Sequence, residues 1–241
     1  LTCLGDEDLA APALMIWLDR MALNNTLVLP GLAALTPALP LRREFARALI
    51  ASLGSHQQAT SVGYNLRALR LAGAAVRERL SPQHWHLLQH VEEQFFASCA
   101  EPMCRSDGSS EPTLTTLKTA SDQLSAITGW QTDGMTRDDG WLLLCIGRHL
   151  ERLGFLAAAL RLGFETGSVH HSAGIGAMLD LFGSQLAKPT QRSDIAALLD
   201  LTVLERNNPH SLAWVAHALR SDLSKLAGSA IYRIGHEQWL R

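Results

Sequence analysis

The chain has 241 residues, of which 47% are hydrophobic, and a formal net charge of −2. A chain of this length can bury a full core as one domain or as two closely packed lobes. Its near-neutral charge excludes the strongly basic surface that binds nucleic acid or an anionic membrane. No apolar run approaches the roughly 20 residues that span a bilayer, and the acidic N-terminal residues do not resemble a signal peptide. We therefore expect a cytoplasmic protein with neither nucleic acid nor a membrane as partner.

Alanine and leucine dominate the sequence, and hydrophobic residues recur with the helical period. The first predicted helix covers residues 9–23 and tolerates Pro12 in its opening turn. Residues 28–40 are predicted as an irregular connection, residues 98–111 as a mobile surface loop and residues 129–134 as a turn. The other predicted helices cover residues 41–53, 60–79, 82–97, 113–127, 136–164, 173–187, 193–204, 209–227 and 230–240. No stretch alternates as a strand would, so we predict an all-α bundle of about seven to ten helices, forming a single domain over residues 1–241.

The stretch from Thr136 to Phe164 is apolar on two sides when it is placed on a helix. Such a helix belongs in the middle of a bundle. Arg148, Glu151 and Arg152 nevertheless lie on one of its apolar stripes. Because burying an ion costs several kcal/mol, these charges either meet partners from other helices or line a cavity that a ligand fills.

Arg70 and Arg77 are one heptad apart on the predicted helix that precedes Pro82. If they converge on Glu151 together with Arg148 and Arg152, the site is net positive and suits an anionic ligand. The alternative is a structural network in which Glu151 accepts from two or more arginines and fixes the register of the helices. We favour the network and expect Glu151 to be buried and bonded to an arginine of another helix.

Other constellations give weaker signals. His84, His86 and His90 could hold a metal ion, but the polar face of an amphipathic helix explains them better, and we expect no metal. Cys145 is interpreted as a small core residue. Ser211, beside His210, is interpreted as a polar residue of a helix start rather than a nucleophile. No phosphate-binding or dinucleotide-binding glycine pattern is present, and we expect no cofactor.

Several motifs together resemble the bacterial alpha-E domain family, which is named for its helices and its Glu-Arg motif. They are residues 136–141 (Thr-Arg-Asp-Asp-Gly-Trp), 147–152 (Gly-Arg-His-Leu-Glu-Arg), 61–81 with Arg70 and Arg77, and 208–212 (Asn-Pro-His-Ser-Leu). The match covers about residues 55–227. Family members usually open with a further Glu-Arg helix, and this chain starts after the place where that helix should be, as an N-terminally truncated domain would.

The resemblance implies an accessory or substrate-binding helical subunit of an ATP-grasp amide-ligase system that modifies peptides or metabolites. The implied partner is a circularly permuted ATP-grasp protein, and self-association to a homo-oligomer is left open. One alternative is a stand-alone enzyme that uses Glu151 as acid or base, which we favour less, and another is a degenerate scaffold for protein docking. The candidate binding or structural charge network consists of Arg70, Arg77, Asp138, Arg148, Glu151, Arg152 and His210.

Overall fold

The computed structural model describes residues 12–28, 39–100, 111–183 and 195–238, with side chains described for 12–28, 44–100, 111–183 and 195–228. These residues contain no strand, so the all-α prediction is confirmed. Their nine α-helices are α1 (Pro12–Asn24), α2 (Leu39–Leu53), α3 (Val62–Ala75), α4 (Pro82–Ala100), α5 (Glu111–Gly134), α6 (Asp139–Glu165), α7 (Ser172–Leu181), α8 (Ile195–Leu199) and α9 (Leu212–Gln238).

The helices form two compact units, with α1–α5 in unit 1 (residues 1–135) and α6–α9 in unit 2 (residues 136–241). That the two units make up one domain stays a prediction. The chain between α6 and α7 and the chain after α8 contain short irregular turns, Ser168–His170 and Asp200–Leu204.

In unit 1, α3, α4 and α5 pack around one hydrophobic core that buries Leu66, Leu88, Val91, Phe95, Ala120 and Ile127. Gly73 allows α3 to approach α4 closely, because a Cβ atom there would lie 2.8 Å from Leu88 Cδ1. Pro82 opens α4 as predicted, and Ser81 Oγ accepts a hydrogen bond from the His84 amide. A smaller core of Ala22, Val28 and Phe45 joins α1 to α2.

In unit 2, α6 packs along α9, and its C-terminal half packs against α7 and the turn that precedes it. Asp138 caps α6 by accepting a hydrogen bond from the Trp141 amide at 3.1 Å. Along α6 the buried residues are Leu156, Ala159, Leu160, Leu162 and Gly163, all near its C-terminal end. The contacts of α6 are therefore concentrated on one side and at one end.

Three predictions about helices are wrong. α6 is not buried on all sides, because α9 and α7 cover only part of its surface in unit 2 and Leu143 and Leu150 remain 57% and 59% exposed. The turn predicted at residues 129–134 is the end of α5, which shows that a helix packed along a neighbour tolerates Gly129. The two helices predicted from residue 209 onward are one continuous helix, α9.

Other boundaries differ by less. The helix predicted over residues 60–79 ends at Ala75 and continues as a short 3-10 turn, Arg77–Arg79. The helix predicted over residues 173–187 ends at Leu181, where Gly183 adopts a left-handed conformation (φ 65°). Most of the predicted surface loop at 98–111, and of the connection at 28–40, lies outside the described residues.

Candidate functional site

The polar layer between α6 and α9 is the candidate site of unit 2, and we define it as Cys145, His149, Arg152, His210, Trp214 and Asp222. Contacts pair residue 152 with residue 210 and residue 149 with residues 214 and 222, and the charge of residue 222 acts on the thiol of residue 145. The numbers rise along one helix as they fall along the other, so α6 and α9 run antiparallel. The polar layer therefore follows the seam between these two helices, and Arg152 lies at its exposed edge.

His149 lies at the centre of the polar layer. Its Nε2 atom is 3.7 Å from Asp222 Oδ2, and its ring meets the edge of Trp214 with the centroids 5.7 Å apart. Burial lowers the pKa of His149, and this effect outweighs the Asp222 carboxylate, which acts in the opposite direction. The imidazole therefore favours its neutral form, in which one ring nitrogen can donate to the carboxylate.

Asp222 is the buried acid of the polar layer, only 7% exposed. Lys225, three residues later on α9, donates a hydrogen bond of 3.1 Å from Nζ to Asp222 Oδ1. The carboxylate thus has a cation on one oxygen and an imidazole near the other, which offsets the cost of desolvating it.

The second contact of the polar layer joins Arg152 to His210, with Nη2 and Nδ1 3.3 Å apart. A guanidinium has only donors, so His210 Nδ1 accepts and the ring proton is assigned to Nε2. Burial and the charge of Arg152 both lower the pKa of His210. Burial and the neighbouring Arg148 likewise lower the pKa of Arg152. The pair thus consists of a neutral acceptor and a cation that keeps most of its donors.

The Asn-Pro-His-Ser motif is the turn that positions His210. Asn208 donates from Nδ2 to the Leu201 carbonyl at 3.0 Å, and its Oδ1 accepts from the His210 amide at 3.0 Å. Ser211 Oγ donates to the Glu205 carbonyl and accepts from the Trp214 amide at 3.1 Å. Ser211 therefore caps α9, which confirms its interpretation as a polar residue of a helix start.

Arginine side chains continue from the polar layer onto the surface of α6. Arg137 lies over the Trp141 ring, with its guanidinium carbon 4.2 Å from the centroid. Arg148 and Arg152 follow on the same side of the helix and are exposed. Neither of these two takes part in an ion pair with any residue that the structure describes. We call Arg137, Trp141, Arg148 and Arg152 the cationic face of α6.

The prediction that Glu151 is buried is wrong, because its side chain is exposed on α6. An exposed carboxylate lacks the apolar surroundings that adapt a general acid to neutral pH. The geometry therefore does not favour Glu151 as acid or base.

Arg70 and Arg77 belong to unit 1 and have partners there. Arg70 Nε is bonded to Glu92 of α4. Arg77 donates from Nη1 to the Leu80 carbonyl at 2.8 Å, and its guanidinium carbon lies 5.5 Å from the centre of the Trp85 ring. Both arginines thus hold α3 and the turn after it against α4. A role in binding a ligand stays a prediction for them.

The described residues include no group of three His, Cys, Asp or Glu side chains that could hold a metal ion. His84 is buried in α4, whereas His86 and His90 are exposed, with ring centroids 6.0 Å apart. Cys145 lies on the same helix as His149, which contacts Asp222, and a thiol near an imidazole and a carboxylate resembles a nucleophile with its base. Burial and the Asp222 charge raise the pKa of the Cys145 thiol, which is the opposite of activation.

Comparison with known proteins assigns the family. A family model described as a predicted alpha-helical domain with a conserved ER (Glu-Arg) motif matches residues 11–238. The chain belongs to the Alpha-E family. The resemblance inferred from the motifs is confirmed, and the match extends over more of the chain than the roughly 55–227 expected from them.

Uncharacterised proteins of Mycobacterium bovis and of two Mycobacterium tuberculosis strains are similar to this Alpha-E chain. Each is 27% identical over 177 residues, which cover 70% of this chain but only 20% of the relative. The chain thus spans about a fifth of the length of these relatives. No solved structure matches it. In the part of the Alpha-E chain that the structure describes, no helix is long and apolar enough to cross a membrane.

Four residues of the polar layer, Cys145, His149, Trp214 and Asp222, are absent from the charge network predicted from the sequence. In register with Val215 and Leu219, the helical period predicts Leu223 on the inner side of α9, but Leu223 is 48% exposed and Asp222 is buried instead. His149 lies within the Gly-Arg-His-Leu-Glu-Arg motif, one turn after Cys145. If the periodicity of α9 had placed Asp222 on its inner side, Asp222 would have been a candidate partner for His149.

Proposed function

We propose that this Alpha-E chain is an accessory or substrate-binding subunit of an ATP-grasp amide-ligase system, and that the cationic face of α6 holds an anionic group. The observation that carries the proposal is the state of Arg148 and Arg152. Both lie one turn apart on α6, and neither is neutralised by a carboxylate among the described residues.

Two adjacent guanidiniums favour an anion because of their positive charge and the geometry of their donors. Each presents up to five N–H donors in a planar fork that matches a carboxylate or a phosphate. Burial and, to a smaller extent, repulsion by Arg148 lower the pKa of Arg152, and a bound anion would relieve that repulsion. Hydrogen bonds to a charged group contribute about 1.5–3 kcal/mol each, so two bidentate contacts suffice for specific recognition.

The chemistry of an amide ligase fits such a surface. The reaction joins a carboxylate to an amine, and ATP-driven activation makes the carboxylate a phosphorylated and still anionic species. A helical subunit that holds this anion, or an acidic segment of the ligase, would position it for the catalytic subunit. The link to ATP-grasp proteins comes from the family resemblance and is therefore an associational argument.

The first experiment is co-purification of the Alpha-E chain with the circularly permuted ATP-grasp protein of the same organism, followed by a ligation assay. The test variant is Arg148→Ala/Arg152→Ala. The matched control is Arg161→Ala, which removes a guanidinium from the same helix that is paired with Glu165. We expect the double variant to lose ligation or complex formation and the control to keep both. Absence of a complex together with no effect of the chain on ligation would remove the proposal.

A docking scaffold is the second candidate, favoured by the exposed Leu143 and Leu150 on α6. It would form the complex through apolar contacts and would not need the arginines. Leu150→Glu separates the two candidates: loss of the complex in this variant, with the double arginine variant unaffected, favours the scaffold. Glu151→Gln, tested in the same assay, is expected to keep ligation, whereas a complete loss would support the stand-alone enzyme.

A further inference from the structure

A cleft in unit 1 takes no part in the proposed function. Its volume is about 1060 Å³, at the upper end of the roughly 300–1,000 Å³ that is usual for ligand pockets. One face of α4 lines it, together with the end of α2, the loop that follows α2, and Arg70 of α3. Every residue that lines the cleft lies in the described part of unit 1. We call it the α4 cleft, and it opens to solvent.

The wall that α4 contributes carries the acidic groups of the cleft. Its residues recur with the helical period and therefore lie on one face of the helix. They are Gln89, Glu92, Glu93, Phe96, Cys99 and Ala100. The hydrophobic core of unit 1 uses a different face of α4, that of Leu88, Val91 and Phe95. The two glutamates therefore line a space that no described side chain fills.

Phe96 provides the apolar surface of the cleft. Its ring stacks on the His56 ring, with the centroids 4.3 Å apart and the planes inclined by 21°. Gly63 of α3 makes room for it, because a Cβ atom there would lie 3.0 Å from Phe96 Cε1 and Cζ. Cys99 adds a neutral thiol, since burial raises its pKa. The cleft therefore offers an aromatic and apolar surface beside its acidic groups.

The charges that line the cleft are unbalanced. Glu92 Oε2 accepts from Arg70 Nε, and the Glu92 side chain is only 13% exposed. Its other oxygen, Oε1, has no partner among the described residues. Glu93 is exposed and takes part in no ion pair with any of them. With histidine counted as neutral, the cleft thus has one negative charge in excess.

The ion pair between Arg70 and Glu92 is not a requirement of the helix that carries Arg70. Residues 61–70 of α3 read Ser-Val-Gly-Tyr-Asn-Leu-Arg-Ala-Leu-Arg and correspond without a gap to residues 211–220 at the start of α9, Ser-Leu-Ala-Trp-Val-Ala-His-Ala-Leu-Arg. The serine that begins each segment caps its helix with the same pair of hydrogen bonds. Arg220, the counterpart of Arg70, is exposed and forms no ion pair within the described chain. The pair in unit 1 is therefore a property of the cleft.

We propose that the α4 cleft binds a small organic ammonium ion, a primary amine that carries an apolar or aromatic body. The ammonium group would bind to Glu92 Oε1 and to Glu93, and the body would pack on Phe96. An ammonium has three donors and no acceptor, which suits two carboxylates with free oxygens. The attraction is strongest at Glu92, because water screens a half-buried charge less than an exposed one.

Arg70 has a positioning role in this proposal, because its bond to Oε2 holds the Glu92 carboxylate and leaves Oε1 for the ligand. An amide ligase needs an amine as its second substrate, so an amine site would complement the proposed function. The inference nevertheless stands on unit 1 alone. Loss of anion binding at α6 would not affect it.

The test measures binding to the full chain by isothermal titration calorimetry at pH 7 with three probes of similar shape. Phenethylamine carries the ammonium group, phenethyl alcohol is neutral, and hydrocinnamate carries a carboxylate. We expect phenethylamine to bind about tenfold or more tightly than the alcohol, because only the amine forms charge-assisted hydrogen bonds. Equal affinity of the amine and the alcohol, or tighter binding of hydrocinnamate, would overturn the proposal.

Two variants locate the amine. Glu92→Gln should weaken phenethylamine binding by about tenfold or more, since it removes the half-buried charge. Glu93→Gln should weaken it by about two- to fivefold, as expected for an exposed ion pair, and its exposed position leaves the fold intact. The matched control is Glu78→Gln, which removes the same charge from an exposed residue of unit 1 outside the cleft.

The result that supports the site is weaker amine binding in both cleft variants with affinity for phenyl alcohol unchanged in Glu93→Gln and amine affinity unchanged in Glu78→Gln. Equal weakening in Glu78→Gln would mean that the amine responds to the overall charge of the chain, which contradicts a defined site. Amine binding that neither cleft variant changes, or absence of saturable binding by phenethylamine, would overturn the proposal as well.

Discussion

His149 Nε2 lies 3.7 Å from Asp222 Oδ2, and this contact joins the two 27-residue helices of unit 2, α6 and α9. Lys225 donates a hydrogen bond to the other carboxylate oxygen, so Asp222 is the common partner of His149 and Lys225. Only His149 belongs to the other helix, since Lys225 lies on α9 itself, so sliding either helix by one turn would leave one carboxylate oxygen without its imidazole neighbour.

Asp222→Ala should therefore destabilise unit 2. The variant removes the acceptor of the Lys225 hydrogen bond and the carboxylate beside His149, and hydrogen bonds to charged groups contribute about 1.5–3 kcal/mol. Lys225 is well exposed and can be rehydrated, which places the expected loss near the lower end of that range. The measurement is the free energy of unfolding from urea denaturation.

Glu165→Gln is the control for Asp222→Ala. It breaks the pair between Arg161 and Glu165, in which both side chains are more than half exposed. Exposed pairs contribute about 0–1 kcal/mol, so this variant should unfold at nearly the same urea concentration as the parent chain. Equal effects of the two substitutions would show that Asp222 does not fix the helices.

His84 should make the stability of unit 1 depend on pH. It is 3% exposed, its Nε2 has no hydrogen-bond partner among the described residues, and burial lowers its pKa below the ordinary value of about 6.5. Below that pH the unfolded chain binds a proton that the folded chain resists, so stability is full above about pH 6.5 and is lost as the pH falls toward the lowered pKa. His149 and His210 act in the same direction.

The check is the difference between the free energies of unfolding at pH 7.5 and pH 5.5. His84→Leu should reduce this difference, because the variant has no group to protonate in the unfolded chain. His90→Gln removes an exposed histidine of the same helix and should leave it unchanged. If the parent chain and His84→Leu lose the same stability at pH 5.5, burial of His84 does not cause the dependence.

The sequence predicts the fold well because helical periodicity and proline positions are local signals. Pro12 and Pro82 lie in the first turn of α1 and α4, as expected. The charge site is predicted less well, because it depends on how a helix is rotated about its axis. Rotating α9 about its axis by the angle between two neighbouring residues exchanges Asp222 and Leu223 at the buried side, and Asp222 is the one that is buried. On α6, Glu151 is exposed although it lies on an apolar stripe of the helix. The correspondence of residues 61–70 with 211–220 was readable from the sequence and identifies Tyr64 and Trp214 as equivalent.

Gly174 should tolerate no side chain, although Gly176 in the same helix should. A Cβ atom on Gly174 would overlap the backbone carbonyl of Ser168, whereas one on Gly176 would meet no atom within 4 Å. Gly174→Ala must displace backbone in the turn before α7, and overpacking of this kind costs about 1–3 kcal/mol. Gly176→Ala should instead gain up to about 1 kcal/mol, since alanine is the better helix former. Thermal unfolding of both variants checks this, and equal midpoints would contradict the predicted clash.

Ser61→Ala and Ser211→Ala should destabilise their units by similar amounts, because the two serines make the same pair of hydrogen bonds at the start of α3 and α9. Loss of an N-cap serine costs about 0.5–2 kcal/mol, and each variant also removes the hydroxyl donor to a carbonyl, that of Ser55 or Glu205, which moves the expectation to the upper half of that range. Ser224→Ala is the control, since its exposed hydroxyl bonds, among the described residues, to the Arg220 carbonyl of its own helix alone. Urea denaturation measures all three variants. A large effect at Ser211 with none at Ser61 would show that the two loops are similar in geometry but not in energy, and would weaken the equivalence of α3 and α9.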